Sequence, residues 1–306
     1  MLAGLRWLGR YGRYCLIAGL VAGLVLPGVA EALRPWGGTL IALLLLVTGL
    51  RVGARAALGS LNDIAPTLAR IGLLQLVLPL TAVAVFAGLR LLSEPLALAV
   101  TLMLAAPSVT GAPNFAIMAG ADPAPGMRLL VLGTALFPLT ALPVLSLLDL
   151  TEGGAWGALS LSLGLLLTIL VAVGLGVALR RAMPALAQPE AQGARDGVAA
   201  LLLASVVVCL MSAIGPLLRT DPATLLLWLA AALAINFGLV LTTLWLGRRI
   251  VASITLPTAI YAGNRNIALF LIVLPDAVAA PLMIFIGCYQ IPMYLTPILL
   301  SRLRPA

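Results

Sequence analysis

Ala262-Gly263-Asn264-Arg265-Asn266-Ile267 lies inside an apolar run near the end of the 306-residue chain. Apolar sequence precedes it from Ile250 to Ala262 and follows it from Ile267 to Leu274. Neither arm alone reaches the roughly 20 residues that a helix needs to cross a hydrocarbon core, but the two together do. A span with Gly, two Asn and an Arg at its middle predicts a helix broken near the bilayer midplane. Such a break survives in lipid only where the freed N–H and C=O groups are buried in protein or line a cavity. The first half of the chain has a counterpart: Thr110-Gly111-Ala112-Pro113-Asn114-Phe115-Ala116 interrupts the apolar run from Pro95 to Gly120. Gly111-x-x-Asn114-x-Ala116 and Gly263-x-x-Asn266-x-Ala268 share one pattern. Matching interruptions in two halves of a membrane protein point to a binding site of the transporter type.

Working outward, hydrophobic residues make up 62% of the chain and charged residues 9%. That is too apolar for a water-soluble domain of this length, and the expected fold is an all-α polytopic membrane protein. Ten transmembrane helices are expected, over 14–33, 37–58, 70–92, 95–120, 127–149, 156–180, 198–218, 223–246, 250–274 and 279–300. The first has a signal-like flank, with Arg6, Arg10 and Arg13 ahead of an apolar run ending near Ala30-Glu31-Ala32. It is taken as a retained span, because its removal would break a five-plus-five arrangement. The longest connection, Met183 to Gly197, is polar and joins the sixth and seventh spans.

All 18 basic residues are Arg, and His is absent. With both termini inside, fourteen Arg fall in cytoplasmic segments, against Arg34, Arg90 and Arg219 outside. This asymmetry predicts a multi-pass protein of the cell (inner) membrane with both termini cytoplasmic. The net charge of +8 is met by the anionic lipid surface of the bilayer, and no nucleic-acid partner is implied. The one Arg left over is Arg265. Cys15, Cys209 and Cys288 stand singly, without metal-ligand or disulfide spacing, and are read as packing residues. Gly19 and Gly23, like Gly49 and Gly53, have the spacing of close-packed helix contacts.

Five spans on either side of the middle connection place the second half upside down relative to the first. The expected architecture is therefore two inverted five-helix repeats, 1–149 and 150–306, with broken helices 4 and 9 crossing at the centre. Pro138 and Pro143 in the fifth span, and Pro292 and Pro297 in the tenth, share one spacing. Half-helix N-termini at such a crossing would direct partial positive charge into a common space and favour anions. Asn114, Asn264 and Asn266 supply polar contacts there. A single membrane Asn ordinarily joins helices, but three at matching breaks are candidates for lining a site, together with Ser108 and Thr110. Both hydroxyls can instead bond their own helix backbone. Gln75, Asn236, Tyr261 and Gln290 are further cavity-lining candidates, the two Gln and Asn236 being isolated polar residues that individually suit packing contacts. Arg265 has two readings: pairing with backbone carbonyls freed at the break, or a functional charge.

The run Pro107 to Gly120 followed by Ala121-Asp122 resembles the fourth-span signature of the bile acid:sodium symporter family. Tyr261-Ala262-Gly263-Asn264-Arg265-Asn266 resembles that family's ninth-span crossover, and Val47-Thr48-Gly49-Leu50 and Leu76-Val77-Leu78-Pro79 resemble its second and third spans. The likeness, to a divergent bacterial-type member, runs over nearly the whole chain, with its sharp motifs at the two breaks. It implies a panel of spans 1, 2, 6 and 7, a core of spans 3–5 and 8–10, and a small organic anion bound near the crossover. Sodium-coupled members carry an acidic residue and a Gln at the second crossover, where Tyr261 and Arg265 stand here. Pro113 replaces the polar residue before the first Asn, and the hydroxyls of the next helix fall near Gly126 and Leu130 or Val131. The third-span Gln falls at Leu74, one place from Gln75. Only Asn114 and Asn266 are kept, as vestigial sodium positions, so no metal and no cofactor is expected and the guanidinium of Arg265 takes the place of the ion.

The expected activity is secondary transport of small organic anions by alternating access, independent of sodium. The alternatives are a sodium-coupled organic anion symporter and a non-transporting membrane receptor for an organic anion. An intramembrane enzyme is disfavoured: no His is present for a Ser–His pair, and no Asp or Glu falls within the middle of a span. A channel would need rings of charge or an open polar path, and there is one intramembrane charge.

Overall fold

The computed structural model describes residues 2–51, 61–150, 153–249 and 256–302. Among these the chain is almost wholly helical, with no strand beyond an isolated two-residue bridge. Seven helices are long and apolar enough to cross a membrane: Pro27–Leu50, Asp63–Gly88, Pro123–Leu148, Gly154–Ala182, Pro189–Thr220, Pro222–Arg249 and Asp276–Arg302. Tyr14–Val25 and Pro95–Ala105 are shorter apolar helices. Large apolar side chains such as Leu139, Val171 and Leu226 stand exposed on the long helices, as lipid-facing residues do.

Helix starts follow local chemistry. Pro27, Pro95, Pro123 and Pro222 open their helices, where a missing N–H costs nothing. Asp122 caps the helix behind it by accepting from the Ala124 N–H at 2.9 Å, and Asp221 accepts from Thr224 N–H at 3.0 Å. Hydrogen bonds from Thr224 hold the Asp221 carboxyl below its usual range.

Several boundaries depart from the sequence expectation. The expected first span, 14–33, is split at Leu26, because Pro27 cannot continue the helix Gly12–Val25. Pro27–Leu33 then runs through a 3-10 turn, Arg34–Trp36, into Gly37–Arg51, so the expected first connection is itself helical. The helix of the expected seventh span, Gln192–Thr220, begins inside the expected polar connection, after two short 3-10 segments. The expected ends of spans two and nine at 52–58 and 250–255, with Gly53, lie outside the described residues.

The chain divides into two compact units. One comprises Met1–Gly53, Gly164–Leu225 and Leu271–Gly287; the other comprises Ala54–Leu163, Leu226–Phe270 and Cys288–Ala306. In the first unit glycines let backbones touch. A Cβ on Gly49 would stand 2.5 Å from the Val173 carbonyl oxygen, so the helix Gly37–Arg51 approaches Gly154–Ala182 at backbone contact. On the helix Gln192–Thr220, Gly19 meets the Ala204 backbone in the same way, and Gly23 makes room for the Met211 side chain. The second unit holds both breaks, within an apolar core that includes Ile71, Leu74, Leu129, Tyr261 and Ala262.

Candidate ligand site at two paired helix breaks

Both expected interruptions are present, and they pair. The first helix, Pro95–Ala105, stops at Ala106, whose backbone turns extended, and the chain resumes as the helix Ala112–Met118. The second, Leu256–Gly263, gives way at Asn264 and resumes as a 3-10 segment, Ile267–Ile272. Between the arms the two backbones form an antiparallel bridge at Ser108 and Arg265. Val109 N–H donates to the Asn264 carbonyl at 3.0 Å, and Asn266 N–H donates to the Pro107 carbonyl at 2.7 Å. Each break thus satisfies part of the backbone that the other leaves open.

Three further carbonyls converge on Arg265, which is 1% exposed. Its Nε donates to the Ala262 carbonyl at 3.1 Å, Nη1 to Ala106 at 3.0 Å and Nη2 to Leu74 at 3.0 Å. Each acceptor lacks a helical partner for a local reason. Ala106 caps the first helix, and Ala262 lies in the last turn of the second. Leu74 lies in a π-helical stretch, Gly72–Val77, where Leu78 N–H bonds back to the Leu73 carbonyl. The next bond in that register would come from Pro79, which has no N–H, so the Leu74 carbonyl is left for the guanidinium. The Tyr261 ring lies under the guanidinium, 4.4 Å from Cζ to the centroid.

Side chains close the rest of the network. Tyr261 donates to Gln75 Oε1 at 2.6 Å, while Gln75 Nε2 donates to the Gly133 carbonyl at 3.0 Å and to Thr140 Oγ1 at 2.7 Å. The Gly263 carbonyl accepts from both Asn236 and the Tyr289 hydroxyl, and that hydroxyl accepts from Arg265 N–H at 3.1 Å. Thr296 donates to Asn236 Oδ1 at 3.0 Å. Glycine is required at 263, because any Cβ would run into Val240 and the Asn236 backbone. One buried network therefore ties together the third, fourth, fifth, eighth, ninth and tenth expected spans.

The structure sorts the sequence candidates. Gln75, Asn236, Tyr261 and Asn264 are fully buried, with their side chains engaged in joining helices. Gln290 is buried on the helix Asp276–Arg302. Ser108 is fully buried, its Oγ without a hydrogen-bond partner among the described residues. Asn114 is exposed and Asn266 and Thr110 are half-buried, and none of these side chains makes a hydrogen bond among the described residues. Sequence reasoning assigned positive field to the half-helix N-termini as well as to the Arg265 guanidinium. The second arms are instead a seven-residue helix and a 3-10 segment, too short to build a developed dipole. The charge present is the guanidinium, seated at the C-terminal ends of the first arms. Thr140, Tyr289, Thr296 and the Leu74 carbonyl were not singled out in the sequence; the only advance signal was Pro79, five residues after Leu74.

Among the described residues no cluster of His, Cys, Asp or Glu could hold a metal ion. No protein-family model matches this chain, and no curated protein is significantly similar to it.

Proposed function

We propose that this chain is a secondary transporter of small organic anions, built like the bile acid:sodium symporters and working by alternating access without sodium. The observation that carries the reading is the seat of Arg265. Carbonyls from both breaks and from a π-turn form a nest of negative dipoles, the kind of oxygen cage that suits a small cation. A guanidinium already fills it. A tethered charge cannot be bound on one side and released on the other, so it cannot transmit an ion gradient.

The side chains next to the crossing that make no hydrogen bond among the described residues, Asn114, Asn266 and Thr110, are the ligand contacts in this reading. Arg265 supplies field rather than direct contact, since its three nitrogens already hold carbonyls. The panel-and-core division is supported by the chain's own compact units. Spans 1 and 7 and most of spans 2 and 6 fall in one, together with Leu271–Gly287 from spans 9 and 10, and both breaks fall in the other. A thermal-shift screen of monocarboxylates, dicarboxylates, sulfonates and bile-acid anions on purified protein identifies the ligand. Counterflow of that ligand in proteoliposomes then tests the activity: accumulation supports transport, and specific binding without counterflow makes the protein a receptor.

A further inference from the structure

We infer that the unit holding the two breaks carries one uncompensated positive charge through the membrane field, so that the empty protein reorients in a voltage-dependent manner and its substrate is a monovalent anion. This rests on the transport reading above, which supplies the motion. Arg265 is buried, and its hydrogen bonds run to carbonyls and to a tyrosine hydroxyl, all neutral groups. It forms no ion pair among the described residues. The acidic residues of its unit are Asp63, Glu94, Asp122, Asp149 and Glu152. Glu94 immediately precedes the far end of the helix whose near end Arg265 touches, which at 1.5 Å per residue puts it about 16 Å away. Asp63 lies in the first turn of Leu61–Ile71, ahead of the π-turn, and pairs with Arg128 at 3.5 Å. Asp122 and Asp149 likewise stand at helix ends, and Glu152 lies outside the described residues.

The carbonyl nest lowers the energy of the guanidinium but does not cancel its charge. A helix dipole carries equal and opposite ends, and moved as a body it transports no net charge. Arginine keeps its proton under any condition in which the protein folds. The other described arginines of the unit, Arg70, Arg90, Arg128, Arg248, Arg249 and Arg302, stand at or near helix ends, so within the membrane interior the empty unit moves with the one positive charge of Arg265. With a monovalent anion bound beside the crossing it moves as a neutral body, and with a divalent anion it moves with one negative charge. Over the full field, about 100 mV shifts the equilibrium between the two orientations about 50-fold; over half the field the shift is about 7-fold. Exchange of a monovalent anion, in which only the loaded protein reorients, is then insensitive to potential.

The test needs no substrate. Voltage steps between about −100 and +100 mV are applied to the purified protein in a planar bilayer, in potassium chloride free of organic anions. The expected record is a transient charge movement that saturates at both extremes, persists in Arg265→Lys and disappears in Arg265→Gln. A wild-type protein without the transient overturns the inference, and so does a transient retained in Arg265→Gln. Counterflow without charge movement overturns this inference alone and leaves the transport reading standing. Charge movement without counterflow overturns the transport reading instead. In proteoliposomes clamped with valinomycin, monocarboxylate exchange unchanged by potential supports the assigned substrate class. A dicarboxylate exchanging faster than every monocarboxylate overturns it.

Discussion

Cutting back Arg265 to alanine removes three hydrogen bonds to carbonyls, at 3.0 to 3.1 Å, and the contact with the Tyr261 ring. Hydrogen bonds between side chains and backbone inside a membrane contribute about 0.6–1.7 kcal/mol each, and a desolvated guanidinium over an aromatic face contributes about 2 kcal/mol. The gross loss is therefore about 4–7 kcal/mol. Removing a buried charge returns a few kcal/mol of desolvation, while three buried carbonyls are left without donors. A net destabilisation of about 3 kcal/mol is expected, or roughly 6–12 °C at about 2–4 °C per kcal/mol. Cys209 and Cys288 are buried and free, whereas Cys15 is partly exposed, so in a Cys15→Ser background a thiol-reactive dye reports unfolding. Arg265→Lys, which keeps the charge but lacks the planar fork, is expected to recover about half of the loss. Millimolar guanidinium, added to Arg265→Gly, is expected to raise the melting temperature by several degrees while leaving the wild type unchanged. An alanine variant that melts with the wild type would refute the idea that these carbonyls depend on the guanidinium. Failure of guanidinium to distinguish Arg265→Gly from wild type would refute the proposed cage.

Asn114→Ala and Asn266→Ala are each expected to abolish counterflow while shifting the melting temperature little, since neither side chain holds another part of the protein; wild-type counterflow in both would remove them from the ligand site. Gly49→Leu is expected to lower the yield of folded protein without altering ligand affinity, because even a Cβ there meets the Val173 backbone. Normal expression with changed affinity would contradict the packing role.

Much of this arrangement was legible in the sequence, and the parts that were not have a common cause. Apolar runs too long to be anything but spans, interrupted at two matching Gly-x-x-Asn motifs, marked where the helices break. The single intramembrane Arg marked the crossing. What the chain could not reveal was which polar residues face each other. Asn264 and Asn266 are two residues apart and chemically identical. Asn264 sits at a helix end, where its amide reaches the Ile260 carbonyl at 2.9 Å, and Asn266 lies past the bridge with its side chain making no hydrogen bond among the described residues. Gln75 and Tyr261 are far apart in the chain and meet only because a π-turn presents Gln75 toward the second break. Helix boundaries failed where local chemistry outweighed hydropathy, as at Leu26-Pro27, where an apolar run continues through a proline that the helix cannot.

The central claim, that a fixed guanidinium does the work of a bound sodium ion, is tested most directly by ligand affinity in wild-type protein with sodium replaced by choline. The ligand is the best-binding anion of the thermal-shift screen, titrated at constant ionic strength. Equal affinity in the two salts is the expected result. A tenfold loss in choline, about 1.4 kcal/mol of coupling, would contradict the claim and show that a sodium ion still binds with the substrate.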